Sequence, residues 1–133
     1  MEISIVIGSK SDEKWVEPCK EVLDKANISY EIIISSAHRE PEKTRKYAQS
    51  LKSKGVKVVI AMAGYAAALP GFIASYTDIP VIGVPLPTSP IKGIDSLLSI
   101  AEMPAGVPVA TMGIGEAGAK NAALFVCKIL GVK

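Results

Sequence analysis

Short apolar runs alternate along this chain with segments whose apolar residues recur at helical spacing. Five such pairs follow one another, each with a loop between the strand-like run and the helical segment. A helix that crosses back over a sheet returns the next strand parallel to the first. The alternation therefore predicts an α/β fold of three layers, in which a five-stranded parallel sheet lies between helices.

The predicted elements have boundaries that the sequence itself marks. Pro41 opens the second helix and Gly55 ends it, while Pro18 kinks the first helix or delays its start. Asn27 and Gly131 are left-handed stops after the first and last helices. Strands are expected at residues 2–7, 30–35, 56–61, 81–84 and 107–112, and the other helices at residues 15–26, 70–76, 94–100 and 116–130.

Composition favours one domain over residues 1–133. Hydrophobic residues make up 49% of the chain but aromatic residues only 5%, and small side chains suit close packing of helices on a sheet. The net charge is only +2, too small for a nucleic-acid-binding surface.

Residues 58–77 carry no charge and are long enough to span a membrane. Gly64, Pro70 and Gly71 interrupt them, so they predict a strand, a turn and a short helix rather than a membrane span.

The few cysteines and the single histidine argue against disulfides and zinc sites. Cys19 and Cys127 lie far apart and predict no disulfide framework, which fits a reducing, cytoplasmic location. His38 is the single histidine, so the usual zinc arrangements have too few ligands.

Ligands of an open parallel sheet bind beyond the carboxyl ends of its strands. In the first such loop, Ser9 and Ser11 are candidate phosphate ligands and Asp12 a candidate acceptor for ribose hydroxyls. The alternative is that Ser11 or Asp12 only caps the following helix.

The second loop places His38 beside Arg39. Histidine is the commonest general acid/base and arginine suits phosphate recognition, although a lone surface histidine is often inert. The last loop, residues 113–118, matches GxGxxG, but only fifteen residues follow it, so we interpret these glycines as close helix–sheet packing rather than a dinucleotide site.

Four segments together resemble one family, the N5-carboxyaminoimidazole ribonucleotide mutases of purine biosynthesis. They are IVIGSKSD, SSAHREP, AGYAAALPG and GIDSLLSIAEMPAGVPVATMGIGEAGAKNAALF, in the family's order and over essentially the whole chain. The resemblance implies a flavodoxin-like fold and a cytoplasmic homo-octamer that uses no cofactor or metal. Its small-molecule ribonucleotide substrate would have a carboxylate moved from the exocyclic nitrogen to ring carbon C4.

Carried over by position, the resemblance makes His38 the catalytic general acid/base. It implies a substrate-binding set from three loops: Ser9, Ser11, Asp12, Ser36, Arg39, Gly64, Ala66 and Leu69. The chain ends at Lys133, and the resemblance implies a single domain that lacks the C-terminal helical extension of many relatives.

The third loop departs from the family's usual AGAGGAAHLPGM. Met62 and Tyr65 replace glycines, Phe72 replaces the methionine, and Ala68 stands where the family has a second histidine. Either the Tyr65 hydroxyl substitutes for that imidazole or the ring only refills the pocket. Two other functions therefore stay open: direct carboxylation of aminoimidazole ribonucleotide by CO2, and nucleotide binding without catalysis.

Overall fold

The five strands form one parallel sheet in the computed structural model, which describes residues 2–132. Their spatial order is β2-β1-β3-β4-β5, so the order reverses between β1 and β3. Every neighbouring pair is parallel, with Ile5 opposite Ile32 on one side and Ile60 on the other. The strands are β1 (Ile3–Ile7), β2 (Tyr30–Ile34), β3 (Val58–Ala63), β4 (Val81–Pro85) and β5 (Ala110–Thr111).

Helices cover both faces of the sheet, as the sequence predicts. The α-helices are α1 (Glu17–Lys25), α2 (Pro41–Ser50), α3 (Leu69–Ala74), α4 (Ile94–Ala101) and α5 (Gly115–Leu130). Alternate residues of β1 and β3 point to opposite faces, and each set is buried. One face packs against α1 and α5, and the other against α2 and α3. The fold is therefore the predicted three-layer, flavodoxin-like arrangement.

The first helical segment differs from its prediction. A 3-10 helix at Lys10–Val16 precedes α1, which starts only at Glu17 with Pro18 in its first turn. The delayed start agrees with proline's missing N–H, which an α-helix tolerates only in its first turn. Asn27 and Gly131 adopt the expected left-handed conformation, with φ of 57° and 71°.

Two strand predictions were wrong at their ends. β3 runs from Val58 to Ala63 rather than over 56–61, because the Val56 amide donates back to the Leu51 carbonyl at the end of α2. β5 is only Ala110–Thr111 rather than 107–112. Pro108 has no N–H to donate to a ladder, which accounts for the late start.

The GxGxxG segment makes a close backbone contact between α5 and the loop before it, rather than between the helix and the sheet as we predicted. A β-carbon on Gly118 would lie 1.9 Å from the backbone oxygen of Gly113, so the start of α5 requires glycine there.

Cys19 and Cys127 are free thiols in the core between α1 and α5. Between residues 2 and 132, no helix is long and apolar enough to cross a membrane.

Candidate active site at the switch point of the sheet

A cleft of about 530 Å³ opens at the carboxyl ends of β1, β2 and β3, where the strand order reverses. The loops after these three strands form most of its lining, and Thr88 from the loop after β4 completes it. All nine residues predicted for the site lie here: Ser9, Ser11, Asp12, Ser36, His38, Arg39, Gly64, Ala66 and Leu69. The cleft is the ligand crevice expected for an open α/β sheet.

The first loop clusters its polar groups at the start of the 3-10 helix. The Ser9 and Ser11 hydroxyl oxygens are 2.7 Å apart, and the Asp12 amide donates to the Ser9 carbonyl at 3.1 Å. Burial raises the pKa of Asp12, while a hydrogen bond from Ser9 and the charge of Lys14 partly offset that rise. The capping interpretation was wrong, because Ser11 and Asp12 lie inside the 3-10 helix and make no side-chain cap bond.

The second loop is a tight turn that a buried hydroxyl pair holds in place. The Ser35 and Thr44 hydroxyl oxygens are 2.6 Å apart, and the Thr44 hydroxyl donates to the Ser36 carbonyl at 2.9 Å. The Arg39 amide in turn donates to the Ser36 hydroxyl at 3.1 Å. His38, at the turn's centre, and Arg39 are thus presented to the cleft and to solvent.

The third loop supplies a wall of small side chains with a single polar one. Ala63 and the residues from Ala66 to Leu69 line the cleft, and Tyr65 lies among them with 59% of its surface exposed. Gly64 accommodates the Thr88 hydroxyl, because a β-carbon there would lie 2.0 Å from that oxygen. Ala68 brings no polar group to the cleft, and His38 is the only imidazole among its lining residues.

Tyr65 holds a backbone conformation that favours glycine. Its φ is 54°, in the left-handed region, and its carbonyl accepts hydrogen bonds from the buried Ser96 hydroxyl and from the Ala67 amide, both at 2.9 Å. Those bonds keep the conformation in place against its steric cost.

We expect Tyr65→Gly to be more stable than Tyr65→Ala by about 1 kcal/mol, because only glycine adopts this φ without strain. In an ordinary helical or extended position the order would reverse, since alanine restricts the unfolded chain. Urea denaturation of the two variants measures the difference. Equal midpoints, or a more stable alanine variant, would show that the loop relaxes out of the left-handed conformation.

Sequence reasoning missed two polar residues of the cleft, Lys14 and Thr88. Thr88 follows β4, and only the observed strand order shows that its loop lies beside the loop after β3. Lys14 had no motif to single it out, and it lies in a 3-10 helix that the sequence did not predict. Within the described part of the chain, no three His, Cys, Asp or Glu side chains are grouped as a metal would need.

Comparison with known proteins relates this chain to a family. The family model described as AIR carboxylase matches residues 2–133. The N5-carboxyaminoimidazole ribonucleotide mutase of Saccharolobus solfataricus is 50% identical over 131 residues, which are 98% of this chain and 82% of that protein. The mutase of Pseudomonas aeruginosa is also 50% identical, over 98% of this chain and 80% of its own length.

A solved structure agrees with these relationships. The crystal structure of Treponema denticola PurE superposes with a TM-score of 0.86 at 30% sequence identity. The match covers 97% of this chain and 79% of that one.

Proposed function

This chain belongs to the AIR carboxylase family, and we propose that it is an N5-carboxyaminoimidazole ribonucleotide mutase of purine biosynthesis. As such it is an isomerase that moves a carboxylate from the exocyclic nitrogen to ring carbon C4 of its substrate. The observation that carries the proposal is the meeting of His38 and Arg39 with the Ser9–Asp12 loop in one cleft at the switch point.

We assign the phosphate and sugar of the ribonucleotide to the first two loops. The hydroxyls of Ser9, Ser11 and Ser36 and the Arg39 guanidinium suit phosphate oxygens, which accept several hydrogen bonds at once. Asp12 suits the ribose hydroxyls, because a carboxylate is an acceptor only. The aminoimidazole then extends toward the small residues of the third loop, including Gly64, Ala66 and Leu69.

One imidazole is enough for both proton transfers of this reaction. His38 starts protonated and gives its proton to the exocyclic nitrogen as the N–C bond breaks and CO2 leaves. The C4 carbon then attacks the retained CO2, and neutral His38 removes the C4 proton, so it ends as it began. Retention of CO2 beside C4 supplies a high effective concentration for the second step.

The third loop bears on the choice between mutase and carboxylase. Tyr65 is the only side chain of that wall with a hydrogen-bond donor, so its hydroxyl is our candidate for the contact that the missing imidazole would make. Tyr65 lines the cleft and has 59% of its surface exposed, so it is accessible to a ligand there. Direct carboxylation with CO2 remains the second candidate function, because Ala68 removes an imidazole from this wall.

Parallel assays with two substrates test the proposal. The purified protein is given the carbamate without bicarbonate, or aminoimidazole ribonucleotide with excess bicarbonate, each with an enzyme-free blank. A mutase converts the carbamate faster. Conversion of the second mixture alone would establish the carboxylase, and conversion of neither would leave a binding protein without this chemistry.

We expect Arg39→Ala to raise KM about tenfold to a hundredfold with a smaller change in kcat, because a charge-assisted phosphate contact is lost in ground and transition states alike. Lys46→Ala is the matched control, since Lys46 is exposed on α2 outside the cleft. Steady-state kinetics of the carbamate reaction measure both constants. An unchanged KM in Arg39→Ala would remove Arg39 from phosphate binding.

We also propose a homo-octamer in the cytoplasm. Two helices expose apolar side chains that a monomer leaves in water: Ile94 and Leu98 on α4, with exposures of 52% and 51%, and Leu124 and Ile129 on α5. The free thiols Cys19 and Cys127 suit a reducing compartment. Light scattering of the purified protein gives the assembly mass.

A further inference from the structure

Lys14 is a cation of the cleft that the resemblance assigns no role. It lies in the 3-10 helix Lys10–Val16, which has three residues per turn, so side chains three positions apart stack in one row. Ser11 and Lys14 form such a row, and both line the cleft. Lys10 belongs to a different row, is also exposed and does not line the cleft.

The ammonium of Lys14 lies near the Trp15 ring and forms no ion pair within the described residues. It lies 5.5 Å from the centroid of the Trp15 ring, and the partly buried Trp15 packs against the core. None of the ion pairs formed within residues 2–132 involves Lys14. Its charge acts on the carboxylate of Asp12, another lining residue of the cleft, and lowers the pKa of that carboxyl against the larger rise caused by burial.

Charge balance identifies the chemical group that this ammonium fits. The cleft holds two fixed cations, Lys14 from the first loop and Arg39 from the second, and one carboxylate, Asp12. A phosphate monoester carries nearly two negative charges at neutral pH. With Arg39 as the only cation, the negative charge of Asp12 would repel the phosphate dianion. Lys14 comes from the same loop as Asp12, and its positive charge offsets that repulsion.

We infer that Lys14 is a second phosphate-binding cation of this cleft, which holds the substrate's phosphomonoester from the first loop while Arg39 holds it from the second. The inference rests on the proposed function for the identity of the substrate. The phosphate contact itself is testable without turnover.

The test measures binding of ribose 5-phosphate and of ribose by titration calorimetry. The proteins are the wild type, Lys14→Gln, Lys14→Arg and the matched control Lys10→Gln, each checked by thermal melting. We expect Lys14→Gln to bind ribose 5-phosphate about fivefold to tenfold more weakly at low salt, with most of the difference lost in about 0.5 M salt. Lys14→Arg and Lys10→Gln should bind like the wild type.

Three results would overturn the inference. They are equal affinities of Lys14→Gln and Lys10→Gln, an equal loss for ribose without phosphate, and no binding of ribose 5-phosphate by the wild type. Turnover of the carbamate by the same preparations separates this inference from the proposed function. Turnover with an unchanged KM in Lys14→Gln rejects only Lys14, whereas phosphate-dependent binding without any turnover by the wild type rejects only the mutase.

Discussion

Replacement of His38 by Asn is expected to lower kcat about a thousandfold or more while substrate binding changes by less than about threefold, because positioned proton transfer contributes 10²–10⁴ to such rates. Asparagine keeps the size and a hydrogen-bonding amide but cannot exchange a proton near neutral pH. In the proposed mechanism this one imidazole carries out both proton transfers, so no second group replaces it when His38 is changed. Kinetics of the carbamate reaction and calorimetry with ribose 5-phosphate measure the two effects separately.

The Lys46→Ala protein again serves as the control for handling and folding, because it changes α2 outside the cleft. Turnover of His38→Asn at the wild-type rate would remove His38 from the chemistry. A large loss of ribose 5-phosphate affinity would instead assign it to binding.

The largest effect on stability is expected for Gly118→Ala, which should lower the free energy of unfolding by at least about 3 kcal/mol. In an ordinary helix interior this substitution stabilises by about 0.5–1 kcal/mol, so the sign of the effect is diagnostic. Here the new β-carbon would lie 1.9 Å from the Gly113 carbonyl oxygen, and its three nearest neighbours are all backbone atoms of Gly113, so no flexible side chain can move aside. Urea denaturation of the purified variants gives the change.

Gly71→Ala is the matched comparison, because Gly71 is also helical but its closest neighbour is the flexible Met103 side chain, at 2.9 Å from the added carbon. We expect that variant to stay within about 1 kcal/mol of the wild type. A Gly118→Ala protein as stable as Gly71→Ala would show that α5 can move away from the Gly113 carbonyl.

The sequence predicts the layers of this fold well because each strand and helix carries its own periodicity. Pro41 and Gly131 mark helix ends through local backbone chemistry and act as expected, whereas α2 ends at Ser50, five residues before the predicted stop at Gly55. The order of the strands is different in kind, since it depends on contacts between residues far apart in the chain. The contact between Thr88 and Gly64 follows from that strand order, so the sequence alone does not predict it.

Some residues of the candidate site are predicted from the sequence, and others depend on the folded structure. Ser9, Asp12, His38 and Arg39 are found by motif and by their position after strands, and the structure brings them into one cleft. Lys14 lies in a 3-10 helix that begins at Lys10, before the predicted helix start at residue 15, so no predicted element placed it at the cleft. The left-handed conformation of Tyr65 depends on a hydrogen bond from Ser96, thirty-one positions away.

The proposed mechanism moves the carboxylate within the cleft rather than through dissolved CO2. It is tested by giving the protein carbamate labelled with 13C at the carboxylate in excess unlabelled bicarbonate and measuring the label in the product by NMR. Because CO2 recombines at C4 before it escapes, we expect most product molecules to keep the label. Product that carries the isotopic composition of the bicarbonate pool would contradict it and would make the protein a carboxylase.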